Sequence, residues 1–361
     1  MAVSNYSNYS NYSNYSNHSN HSGLNQDELA TFGQGSSLEL ADALNSAMLA
    51  IAPATAILTA ADLKTAMDPV KPALRFRGMN ARHRQHLLVA ELTQGLSVVS
   101  ATTDTAKLLN AGTVLYSLAV IRGDTGYWAK QIQDLRDRKW HRDDRLNEIV
   151  LQQTDLLSFL ALALPVGPDS HAWLATLMDA MFAAIFRYEV ELKAAFAMPR
   201  PVVLAPDLAP VIQTPAHASF PSGHATEAFC AATVLGALFP SRRSDLRRLA
   251  TRIAINRGYA GLHFPVDHHA GAILGDILGA EFLYRLFGIS ITNPAGAEVF
   301  TTADKQTASP KAETLFRNSL EDYALNGTVL QTTPWAAPNR PAAAQTALQW
   351  LSTEVLEEIG K

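Results

Sequence analysis

A chain of 361 residues, 48% hydrophobic and 17% charged, can bury a full core without covalent staples, and its single cysteine excludes an intramolecular disulfide. A formal charge of −4 with a pI near 6.3 excludes the excess of clustered Lys and Arg that a nucleic-acid backbone demands. Cys230 sits in an Ala-rich stretch, where a small, buried, inert thiol is expected.

The N-terminus Met1-Ala2-Val3-Ser4 carries neither a basic n-region nor an apolar h-region, so no export signal is read and a cytoplasmic location is expected. Residues 5–22 are four Asn-Tyr-Ser triplets followed by two Asn-His-Ser triplets, with no aliphatic side chain to bury. A disordered tail over residues 1–25 is expected, ahead of one all-helical catalytic domain over 26–361. The most apolar stretches, 156–166 and 228–240, are too short to span a bilayer, and 173–186 carries Asp179 in its middle.

From Asp27 onward, Ala, Leu, Ile and Met recur at spacings of three and four, and alternating β-branched runs are scarce. The periodicity predicts an all-α helical bundle, with helices near 36–51, 83–100, 104–122, 143–163, 171–197, 223–238, 243–257, 268–287 and 344–358. The breaks fall at Pro165-Val166-Gly167-Pro168 and Pro199-Arg200-Pro201. Residues 301–341, richer in Pro, Thr and Asn, are expected to wrap the surface around a short helix near 312–323. The Ala-rich faces of 36–63 exceed one bundle's needs, which makes a homo-oligomer the expectation. Arg242, Arg243, Arg247 and Arg248 around Asp245 read as a solvated helix face.

Three spaced blocks carry the chemistry. In the first, an apolar stripe from Leu174 through Phe196 is flanked by Lys193, and Pro199 and Pro201 stop the helix on either side of Arg200. Seven residues apart, Lys193 and Arg200 are expected near one azimuth, a point charge and a bidentate fork aimed at one place.

In the second block, Pro221-Ser222-Gly223-His224 is a tight turn running into a helix, with Ser222 as the N-cap. The free N–H groups of a first turn, and a glycine that lets an anion approach the backbone, make an anion site over which His224 would hang. In the third block, Arg257 shares the apolar face set by Leu246, Leu249 and Ile253 and needs an anionic partner there. Asp267 lies four residues after His263 and can fix its tautomer. His268 and His269 are adjacent, read as packing or surface residues, and receive no role.

Lys193, six residues, Arg200-Pro201; then Pro221-Ser222-Gly223-His224; then Arg257, five residues, His263, three residues, Asp267: this order resembles the three-part signature shared by vanadium-dependent haloperoxidases and type 2 phosphatidic acid phosphatases, the bacterial acid phosphatases included. One position departs, since Asn256 stands where the family commonly has Ser. The resemblance implies a helical bundle whose Lys193, Arg200, Ser222, Gly223 and Arg257 hold vanadate or phosphate.

In a haloperoxidase the resemblance makes His263 the ligand to vanadium and His224 the base that takes a proton from hydrogen peroxide, so that bromide or iodide is oxidised and a small organic acceptor is halogenated. In a phosphatase it makes His263 the nucleophile, His224 the acid and Asp267 the group that orients His263. His217, seven residues before His224, resembles the position where bromoperoxidases place a second histidine that tunes halide oxidation. A vanadate-dependent haloperoxidase is therefore the first expectation and a soluble phosphomonoesterase the second, with no nucleic-acid or membrane partner in either.

Overall fold

The computed structural model describes residues 72–167, 169–289 and 346–360, together with the backbone of 291–292, 298–301 and 331–332. The expectations for residues 1–25, for helices near 36–51 and 312–323, and for a self-associating face in 36–63 lie outside the described residues. The chain forms two compact units, and of the first, Tyr15–Arg77, the described part is a short helix, α1 (Pro72–Arg77).

The larger unit is described from Gly78. Helix α2 (Ala81–Thr93) starts where the Asn80 side chain accepts the His83 N–H at 2.9 Å. The helix then ends, where one running to residue 100 was expected. Gly95 takes φ +77°, and Leu96–Thr102 is strand β1.

The helix expected at 104–122 is likewise replaced by strands, β2 (Thr105–Asn110) and β3 (Thr113–Ala119). Ala111 and Gly112, both at positive φ, make the two-residue hairpin between them, and the antiparallel register runs from Thr105↔Ala119 to Asn110↔Thr113. Burial has period two: Ala106 and Leu108 on β2, Tyr116 and Leu118 on β3.

Helix α3 (Thr125–Lys139), which the periodicity did not pick out, is capped by Asp124, whose carboxylate accepts the Tyr127 N–H at 2.8 Å. The helix expected over 143–163 breaks into a 3-10 turn (Asp143–Arg145), α4 (Leu146–Leu151) and α5 (Leu157–Ala161).

Helix α6 (Ala172–Phe196) is the long apolar helix expected, and its Leu174, Leu177, Met181, Ile185, Tyr188, Leu192 and Phe196 stripe is buried. Ala197 at φ +47° stops it before the prolines, and α7 (Pro201–Leu204) follows. Lys193 and Arg200 therefore lie on either side of this stop, near the expected helix end at 197, and the helical azimuth expected to align them does not apply.

Helices α8 (Gly223–Leu238), α9 (Arg243–Tyr259) and α10 (Pro265–Phe287) complete the helical core. Helices α8 and α10 lie so close that a Cβ on Gly275 would come within 3.0 Å of Thr226 O and Cys230 N, and one on Gly271 would meet Ser222 O. Cys230 is buried, as expected, and burial raises its thiol well above the ordinary range.

The arginine cluster is only partly a solvated face. Arg242 and Arg248 are exposed beside Asp245, but Arg247 turns inward to a buried ion pair with Asp276. Strands β4 (Ile291–Thr292), β5 (Glu298–Thr301) and β6 (Gln331–Thr332) follow, β5 adding parallel to β3.

Helix α11 (Ala347–Glu358) closes the unit. Its first two N–H groups are accepted by Glu91 of α2, and its Glu358 accepts Trp173 N–H (2.8 Å) and Leu174 N–H (3.0 Å) at the positive end of α6. The described residues are thus a helical bundle with a four-stranded sheet (β1-β2-β3-β5) and a two-stranded one (β4-β6), and among them no helix is long and apolar enough to cross a membrane.

Candidate active site

Helix ends and turns bring the three blocks to one buried place. The last turn of α6 supplies Lys193, the connection to α7 supplies Arg200, and the turn into α8 supplies Ser222, Gly223 and His224. The last turn of α9 supplies Arg257, and His263 and Asp267 straddle the start of α10. All of these residues are buried, so charge in this place is little screened.

His263 is held from both sides. Its Nδ1 lies 3.1 Å from Asp267 Oδ2, and its Nε2 lies 2.9 Å from Arg200 Nη1. A guanidinium only donates, so Nε2 carries the lone pair and Nδ1–H donates to the carboxylate. Asp267 Oδ2 also accepts Phe264 N–H (3.0 Å) and the Ser219 hydroxyl. Burial raises Asp267 to about 6, against the pull of Ser219 and Lys193. Burial holds His263 well below its ordinary range, reinforced by Arg200 and Lys193.

Arg200 also donates to His217 O (3.0 Å), to Leu262 O (2.9 Å) and to His217 Nδ1 (3.0 Å). His217 is therefore packed against the charged centre rather than free in its loop.

Lys193 Nζ donates to the carbonyls of Ala218, Ser219 and Pro221, which gather the preceding loop around it. Burial lowers it to about 7, with Arg200 pushing the same way and Glu189 opposing. Ser222 occupies the N-cap position of α8 with extended backbone but makes no side-chain cap bond, contrary to the simple capping role expected. Its buried Oγ has no partner among the described residues. A Cβ on Gly223 would come within 3.0 Å of the Glu189 carboxylate, which would have to swing aside.

His224 Nε2 lies 3.0 Å from the Gln152 carbonyl, which only accepts, so Nε2 carries the proton and Nδ1 is bare. Burial holds His224 well below its ordinary range, and Arg257 adds to the fall. Arg257 Nη2 donates to Ile149 O (3.0 Å) and to Gln152 Oε1 (3.1 Å), while its buried Nε and Nη1 have no partner among the described residues. Burial lowers this guanidinium to about 9, against the pull of Glu227.

Arg257 and Ser222 thus keep unpartnered donors in a buried place shared with Lys193 and Arg200, whose own donors are engaged by neighbouring acceptors, and such a place favours an anion made only of acceptors. Among the described residues no group of three His, Cys, Asp or Glu could cage a metal ion. The donor set suits an oxyanion with His263 Nε2 as its one nitrogen neighbour.

Sequence reasoning missed four participants. Ser219 carried a faint signal, lying three residues before Ser222, but Gln152 lies far upstream. Glu189 and Glu227 are buried carboxylic acids whose pKa burial raises, Glu189 to about 7. His268, given no role, is buried with its ring centroid 5.9 Å from that of His263.

Residues 173–289, about a third of the chain and the segment holding all three blocks, match the PAP2 superfamily model. No curated protein matches the chain. Similar solved structures include the first bacterial vanadium-dependent iodoperoxidase (17% identity, TM-score 0.33, 44% of this chain and 49% of that one). They also include a transmembrane PAP2-type phosphatidylglycerolphosphate phosphatase from Bacillus subtilis (21% identity, TM-score 0.34, 44% of this chain and 84% of that one). The chain spans about half the length of the iodoperoxidase.

Proposed function

Starting from residues 173–289 as a PAP2-superfamily segment, we propose that this site holds vanadate and works as a haloperoxidase, using hydrogen peroxide to oxidise bromide or iodide. The observation that carries the reading is the unpartnered donor set, Ser222 Oγ with Arg257 Nε and Nη1, buried beside Lys193 and Arg200. Vanadate, acceptors all round, fits these donors together with the first-turn amides of α8. His263 Nε2, kept bare by Asp267 on the far side of the ring, is the nitrogen that would face its metal.

When bound, vanadate supplies a Lewis-acid centre that activates peroxide for two-electron oxidation of a halide. The protein's own groups do the rest. His224 Nδ1, bare because Nε2 is engaged by Gln152, takes a proton from incoming peroxide. Lys193, Arg200 and Arg257 would offset the oxyanion's charge, Arg200 giving up its bond to His263 Nε2 as the anion enters. His217, against Arg200, stands where it can set the field felt by the halide.

A phosphomonoesterase is the second reading, because the unprotonated His263 Nε2 would equally serve as the nucleophile on phosphorus. His224 favours the first. Burial lowers its pKa, which suits a group that accepts a proton from peroxide.

Vanadate-loaded protein given peroxide and bromide or iodide is expected to halogenate an activated diketone, and His263→Ala to abolish this. No halogenation, alongside brisk nitrophenyl phosphate hydrolysis inhibited by vanadate, would overturn this reading in favour of the phosphatase.

A further inference from the structure

Gln152 lies outside the superfamily segment and outside all three blocks, yet it touches two of them at once. It is the C-cap of α4, fully buried, and its backbone carbonyl is one of the acceptors a helix end leaves over. That carbonyl takes the His224 Nε2 proton at 3.0 Å. Its side-chain Oε1 takes Arg257 Nη2 at 3.1 Å and Asn256 Nδ2 at 3.0 Å.

The direction of the Gln152 amide is set by charges further out. Glu148 Oε2 only accepts, so Asn256 must turn Nδ2 toward it (3.0 Å), and Arg145 Nη1 only donates, so Asn256 must turn Oδ1 toward that (3.3 Å). The second Nδ2 hydrogen of Asn256 then points at Gln152, whose Oε1 must face it. Gln152 Nε2 is consequently turned away, buried, with no partner among the described residues. A buried amide donor left unmatched is destabilising. Three other unmatched buried donors, Ser222 Oγ and Arg257 Nε and Nη1, belong to the residues it serves and to their neighbours.

We propose that Gln152 is a positioning residue of the oxyanion site: its carbonyl fixes the His224 tautomer, its Oε1 aims Arg257, and its Nε2–H₂ is a donor held in reserve for the bound anion. The proposal rests on the oxyanion reading above. It also accounts for Asn256, whose Nδ2 donates to both Glu148 and Gln152, two acceptors that a serine hydroxyl, with one hydrogen, cannot serve together.

The test is calorimetric titration of orthophosphate and of orthovanadate into the full chain and into Gln152→Glu and Gln152→Met. Gln152→Glu keeps the shape but sets a carboxylate on Arg257, and Gln152→Met removes both amide atoms without adding charge. At pH 8 the dissociation constant for each anion is expected to rise at least ~10-fold in both variants. In Gln152→Glu part of the loss should return at pH 5, as the new carboxyl takes up a proton, while Gln152→Met shows no such recovery.

A merely structural glutamine would not create that pH dependence. If Gln152→Glu does not fold, as judged by circular dichroism, the fold-change in Gln152→Met decides. Parent-like affinity in the folded variants at both pH values overturns the proposal alone. Failure of the parent chain to bind either anion overturns the oxyanion reading and this proposal with it.

Discussion

The core of α6, α8, α9 and α10 and the upstream part from α2 to α5 are built by different rules. In the core, α8 is buried almost throughout, and Gly271, Gly275 and Gly279 of α10 give the room that lets α8 lie against it. Upstream, elements are short, and Trp140, Val150, Leu151 and Leu162 leave much of their surface to solvent. The core supplies charged groups at fixed helix ends. The upstream part supplies neutral amides and carbonyls, from Gln131 to Val266 N–H, from Gln152 to His224 and Arg257, and from Ile149 to Arg257. Chemistry is thus placed by one region and aimed by the other.

The largest test of this contrast compares glycines. Gly275→Leu, whose side chain would enter the backbone of α8, is expected to destabilise by more than ~3 kcal/mol and abolish anion binding, read as a fall in Tm and a flat calorimetric titration. Gly112→Ala, strained at φ +85° but with open space around it, should cost only ~1 kcal/mol and leave binding intact.

Next comes Asp267→Asn, which keeps the shape and one acceptor oxygen but removes the negative charge behind His263 Nδ1–H and Ser219. Turnover is expected to fall ~10²–10³-fold with little change in Tm, and Ser219→Ala to lose about ten-fold. Loss of the fold instead would assign both residues to packing.

The pH dependence of stability sharpens the comparison within the core. Asp179 on α6 is half-buried with one oxygen unpartnered, and desolvation raises it to about 8. Its folded pKa is above the ordinary value of 3.8, so the fold favours the protonated form, and stability is lost as pH rises from about 4 through about 8. Asp179→Leu is expected to raise stability at pH 9 by on the order of 2 kcal/mol, with a smaller gain at pH 4, measured as Tm against pH. His224, His263 and His268 act on the other side, since burial depresses all three and their contribution is lost as pH falls below about 6.5.

The smallest effect is expected at the rim. His217→Phe should change the ratio of bromide to iodide turnover by a few-fold while leaving Tm within a few degrees. An unchanged ratio would reduce His217 to a residue that steadies Arg200 through its carbonyl.

The core was readable because its signals are local. Pro-Ser-Gly-His at a helix start and a four-residue step from His263 to Asp267 need only short-range geometry, and the structure brings each named residue to the same pocket. Even there the loop conformation escaped, since Ala197 at positive φ, rather than a continued helix, sets where Arg200 points. The hairpin of β2 and β3 was misread because Leu108, Leu115 and Leu118 fall at helical spacings, while the Asn-Ala-Gly turn between the strands is short. Helix α3 was missed because its buried face is made of Gln131, Asp134 and Arg138 as well as Tyr127, Trp128 and Leu135. Gln152 could not be read at all, because its meaning depends on partners more than seventy residues away.

The most direct measurement is competitive titration of orthovanadate and orthophosphate against the parent chain, Ser222→Ala and Arg257→Leu. One site per chain, shared by the two anions and weakened at least ten-fold in each variant, is the expected result. Binding that is absent, or that survives both substitutions unchanged, would contradict an oxyanion pocket built from these donors.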